Sequence, residues 1–235
     1  MDNRRSWYGY VVIGLTLLTT HTLWAQDNGK GSGEPAKDGA ARGDAPDEAA
    51  PAEGTATAGA PGMSAKDMAM MQEWMKLAAP GEHHKHLEHF VGNWDTTTKM
   101  WMGGPGSNAM ESKGTSTVKW VLGGRYTMEE HHGSMMGMPY EGLGLTGYDN
   151  VKNLYVSTWS SNMDTQLLTM MGSRHPETGL FTFYGKMDEP SMSVHGRTVK
   201  YVTRIVDPNK HVFTIYDLHV SDDYKVIEIT YERKK

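Results

Sequence analysis

The order of apolar and polar positions divides the chain into four stretches. Tyr8 to Leu18, "YGYVVIGLTLL", is an apolar run behind Arg4 and Arg5. It has about the length of a secretory core, and the threonines and His21 that follow dilute it before it could span about 30 Å of hydrocarbon. Residues 1–25 are therefore expected to be a signal peptide, with cleavage near Ala25. From Gln26 to Gly62 there is no aromatic residue and no aliphatic larger than alanine. Such a segment buries too little apolar surface to offset its loss of chain entropy, and residues 26–63 are expected to form a disordered linker.

Helical spacing begins at Ser64. In "SAKDMAMMQEWMKLA", Met68, Met71 and Met75 recur at i, i+3 and i+7, and Ser64 with Asp67 matches a capping box. That spacing assigns these methionines to packing. Pro80-Gly81 stops the helix, and a shorter one is expected over Glu82 to Phe90, so that residues 64–91 make a helical lead-in. After Trp94 the period changes to two. Strands are expected at 94–102, 114–122, 125–131, 141–148, 154–160, 165–172, 180–187, 198–206, 211–220 and 224–233. Turn residues separate them, as in "LGGR", "YDNVKN", "HPETG" and "DPNK". Ten short strands with tight connections predict an all-β antiparallel meander over 92–235. Closing it into a barrel removes both exposed edges. Ten strands also enclose more space than eight would, which predicts an internal cavity, lined in part by tyrosine and tryptophan.

Composition narrows the function. The linker carries seven acids against three bases, and the remainder twenty against eighteen with the bases scattered, so no clustered basic face exists for nucleic acid. The absence of cysteine excludes disulfides, thiolate chemistry and a cysteine lipid anchor. The eighteen methionines offer soft sulfur for Cu(I), but they also serve as pliant core filler. Four histidines crowd "EHHKHLEH". His83, His86 and His89 are spaced by three, but their directions spread by about 120° along a straight helix, too far for one tetrahedral zinc or copper site. They read as a hydrated helix face or cap, and no metal or other cofactor is expected. His131 behind Glu129-Glu130 has no nucleophile at a recognisable spacing, and "GLGLTG" has no helix after it to cradle a phosphate. Those glycines read as kinks that let a barrel curve.

The stretches "HKHLEHFVGNWDT", "ESKGTSTVKWVLGGRYTMEE", "MGMPYEGLGLTGYDNVKNLYVSTW" and "VTRIVDPNKHVFTIYD" with "EITYERK" resemble bacterial proteins grouped as Domain of Unknown Function 1579. More distantly, a short helix leading into Gly92-x-Trp94 resembles the calycin barrels, which include lipocalins, fatty-acid-binding proteins and nitrobindins. That second resemblance implies that Trp94 closes the barrel floor under a basic side chain from the last strand, with Arg233 the match here. The expectation is an exported, periplasmic or secreted, calycin-like module for a small apolar or amphipathic ligand, with no membrane span once the signal is removed. Trp159, Tyr148 and Tyr184 are the expected cavity lining, with Arg204 or Glu228 as polar anchor. The alternatives are a haem, copper or zinc protein and an enzyme of unspecified reaction. Oligomeric state is not legible.

Overall fold

The computed structural model describes residues 63–189 and 193–235, so the expected signal peptide and all of the expected linker but Met63 lie outside the described residues. Helix α1, Ala65–Ala78, opens on the expected capping box: Asp67 N–H donates to Ser64 Oγ at 3.2 Å, and Ser64 N–H to the Asp67 carboxylate at 3.4 Å. After Pro80-Gly81 come a single α-turn, α2 (Glu82–Lys85), and a 3₁₀ turn at Glu88–Phe90. The strands are β1 (Gly92–Met100), β2 (Met110–Val121), β3 (Tyr126–Met135), β4 (Met138–Asp149), β5 (Leu154–Ser161), β6 (Leu168–Arg174), β7 (Phe181–Glu189), β8 (Val194–Asp207), β9 (Lys210–Asp217) and β10 (Lys225–Arg233). Each pairs antiparallel with the next, and β10 returns to pair with β1, which closes a ten-stranded barrel consistent with a calycin-like fold. Among the described residues no helix is long and apolar enough to cross a membrane.

One end of the barrel is sealed by the segment from Gly81 to Val91. Leu87 is driven into the core beside Tyr155 and Phe181, with Phe90 packed against the same cluster. Trp94 on β1 is fully buried and donates from Nε1 to the Phe90 carbonyl at 2.7 Å. Its partner across the seam is Arg233, whose guanidinium carbon lies 4.1 Å from the indole centroid. That guanidinium donates to the carbonyls of Val91 and His89 at 2.8 and 2.9 Å, so a single side chain stitches the plug to the last strand. Gly92, at φ 134°, leaves the space it occupies, since a Cβ there would overlap Nη1.

The histidines are only in part a hydrated face or cap: His83 is exposed and His84 caps the turn, but His84, His86 and His89 are drawn toward the barrel. The segment is too short for a regular helix, and the turn presses it onto the barrel. His84 is only 4% exposed, and its Nδ1 accepts the Gly81 N–H at 3.0 Å. His86 Nδ1 meets the Tyr155 hydroxyl at 2.8 Å, and His83 stacks on Tyr148 at 4.1 Å. His89 sits 5.5 Å from His211, which is stacked on Tyr231 at 4.3 Å and set edge-on to Trp94 at 4.5 Å. The methionines of α1 depart from expectation too. Met68, Met71 and Met75 are 40 to 45% exposed, because α1 is tied to the barrel by its C-terminal carbonyls rather than by its apolar side. Arg125 Nε donates to Ala78 O at 2.8 Å, and Asn150 Nδ2 to Leu77 O and Ala79 O at 2.8 and 2.9 Å.

Two outcomes follow from the plug. Trp94→Ala should lower the unfolding free energy in urea by about 3–5 kcal/mol, as large aromatic truncations in cores do. Tyr184→Ala, at a site 49% exposed, should change it by less than about 1 kcal/mol. The second concerns acid. Burial, then the nearby His89 and Arg233, lower the His211 pKa from 6.5 to about 3, and burial with Arg233 lowers that of His89 against the opposing pull of Asp207. The unfolded chain therefore binds more protons below pH 6.5. Stability should fall as pH drops from 6.5 toward 3, by up to about 1.4 kcal/mol per pH unit from His211, and His211→Phe should flatten that slope in urea melts taken across the range.

Candidate functional site

Above the plug the barrel keeps a cavity of about 200 Å³. Alternation decides what faces it, and the two sides differ. The wall from β6 to β10 is mostly apolar and presents Met170, Phe183, Tyr201, Phe213, Ile215 and Ile229, with Thr203, His211 and Tyr231 as its polar members. The wall from β2 to β5 is polar and presents Thr127, Glu129, His131, Tyr140, Thr146 and Ser157. At the far end Met100, Lys113, Ser134, Met135 and Met187 surround the mouth.

Glu129 and His131 are two apart on β3, so both face inward, while Glu130 and His132 face out. Glu129 lies deep within the barrel. Ser116 donates to its Oε1 at 2.7 Å, and the Tyr231 hydroxyl donates to the same oxygen at 3.1 Å. Burial raises its pKa, against the lowering effect of those two hydrogen bonds. A carboxyl so raised weakens the fold as pH climbs through its folded value, opposite in sign to the plug histidines. Burial likewise pushes the Tyr231 hydroxyl well above its usual value, reinforced by Glu129. His131 is buried, its Nδ1 has no hydrogen-bond partner, and burial followed by His132 lowers its pKa to about 4. Its imidazole is therefore neutral near neutral pH, facing Tyr140 at 5.8 Å and Trp159 at 6.5 Å. Thr96 Oγ1 is a further buried polar atom without a partner.

Trp159 lines this cavity, and its Nε1 donates to the Tyr140 hydroxyl at 2.9 Å. The glycines of "GLGLTG" make room for it. A Cβ at Gly142 would overlap the indole, and one at Gly144 would come within 2.8 Å of it. The other expected ligand residues lie elsewhere. Tyr148 belongs to the plug, stacked on His83 and 4.9 Å from Tyr155. Tyr184 sits between the inward Phe183 and Gly185 and so faces out. Arg204 is exposed between Thr203 and Ile205 for the same reason. Glu228 lies outside between Ile227 and Ile229, paired with Lys225 at 2.8 Å. Sequence reasoning therefore misses Glu129, His131, Tyr140 and Tyr231 as cavity residues. The available signal is the alternation in "TMEEHHG", which puts Thr127, Glu129 and His131 on one face; taking Glu129-Glu130 and His131-His132 as pairs of neighbours hides it.

The metal and haem alternatives can be tested against these residues. Among the described residues no three His, Cys, Asp or Glu side chains gather as a metal-binding group. His83 and His86 meet each other at 5.9 Å and are both packed against Tyr155, whereas His89 lies apart against His211. His131 has a free nitrogen, but about 200 Å³ is below the roughly 300 Å³ at which pockets for drug-sized molecules begin, and a haem does not fit.

No curated protein matches the chain. The family model described as "Protein of unknown function (DUF1579)" matches residues 79–233, a span running from the start of the plug to Arg233 at the seam. The chain belongs to that family.

Proposed function

We propose that the protein is an exported binding module that holds one compact amphipathic molecule inside the barrel. The observation that carries this reading is the two-sided cavity, a mostly apolar wall on β6 to β10 facing a polar wall centred on Glu129 and His131. A core that only had to be stable would fill this space, because buried polar groups without partners destabilise and empty volume forfeits packing contacts. His131 Nδ1 and His211 Nδ1, both on residues that line the cavity, are such groups. The volume suits a ligand of small-aromatic size, since cavities of about 150 Å³ already take up benzene. Export rests on the N-terminal sequence alone.

Titration with benzyl alcohol should change the fluorescence of the cavity tryptophan, Trp159, with saturation at one molecule per barrel. Ile215→Trp, which fills the cavity from the apolar wall, should weaken that binding by about tenfold or more without loss of thermal stability, as an indole occupies space otherwise empty. Unchanged affinity in that variant would place the ligand outside the barrel.

A further inference from the structure

Among the described residues that line the cavity, Glu129 is the single carboxylate, and Lys113, out at the mouth, is the single lysine or arginine. No described lysine or arginine pairs with Glu129, whose side-chain contacts are the Ser116 and Tyr231 hydroxyls. Both hydroxyls donate to Oε1, an arrangement that favours negative charge on the carboxylate. Oε2 receives neither of those bonds. Around the carboxyl stand Tyr231, Tyr140 and Trp159, whose ring faces attract cations, and a neutral His131 that adds no positive charge. The rest of the opposite wall is mostly apolar.

On these observations we propose that the cavity selects a small organic ammonium ion, its charged head on Glu129 between the aromatic rings and its tail on the β6 to β10 wall. This rests on reading the cavity as a ligand site. In the empty barrel burial raises the Glu129 pKa, because a lone charge there lacks compensation. A bound ammonium supplies that compensation, so an amine is favoured over a neutral molecule of the same shape.

The test is calorimetry on the folded protein near neutral pH with benzylamine, benzyl alcohol and benzoate. Benzylamine should bind about tenfold more tightly than benzyl alcohol, the scale of one charge-assisted bond, and benzoate most weakly. Glu129→Gln, close in shape, should erase the amine preference, since it removes charge without volume. Ser116→Ala, which deletes one donor to Oε1, should reduce the amine preference in the same direction. Equal affinity for amine and alcohol, or an amine preference that survives Glu129→Gln, would overturn this inference and leave the cavity reading standing. Binding of none of the three would overturn both.

Discussion

The pairing of β1 with β10 is the interaction on which the rest depends. Nine sequential hairpin pairings would give an open sheet with two bare edges, and only this tenth pairing removes them. Once the seam closes, the width of the interior follows from strand number, and ten strands make it wider than inward side chains fill by themselves. Something must then stop the end, and the seam supplies the means. Trp94 and Arg233 are direct partners in its register, and the arginine reaches from there to the carbonyls of the plug. Plug and seam are therefore one device. The closing pair also fixes the segment that carries Leu87 and Phe90 into the core, and the cavity is the volume above them.

That hierarchy explains what was legible in the sequence. Strand number, order and closure were, because period two and turn chemistry are local, and "LGGR" shows it: Leu122, Gly123 and Gly124 all take positive φ in the turn from β2 to β3. The cap of α1 was legible for the same reason. The fate of its methionines was not. Helical spacing says which side of a helix is apolar, but it does not say whether a surface is there to receive it. The histidines failed in the opposite direction: polar by type, they are drawn inward because so short a plug cannot keep all of them in water while Leu87 is buried. Facing was the other weakness. Choosing one residue too many or too few along a strand moves a side chain from cavity to solvent, and Tyr184, Arg204 and Glu228 were each one step from an inward neighbour.

The electrostatics of the barrel separate two treatments of charge. At the mouth end, Arg197 and Asp217 are both buried and lie 2.9 Å apart, and the aspartate also accepts the His219 N–H at 3.0 Å. There the chain supplies a charge, its counter-charge and, on the aspartate, a further hydrogen bond, the compensation a buried ion pair needs, although Arg197 Nε is left without a partner. Glu129 is treated differently. It is given two hydroxyl donors and no cation, on the one wall where the opposing surface stands back.

The same contrast separates Glu129 from Glu228. Glu228 lies between Ile227 and Ile229 on the outer face of β10, with Lys225 at 2.8 Å, so its charge is compensated in the ordinary way of a surface. Moving a carboxyl from that face to the inner one removes bulk water and counter-ion together, and the chain tolerates this at one position only among the described residues that line the cavity. The cost falls where three aromatic rings and two hydroxyl donors already surround the group. Stability alone would favour a leucine or glutamine there, so the carboxyl is the residue on which the proposed ligand site turns.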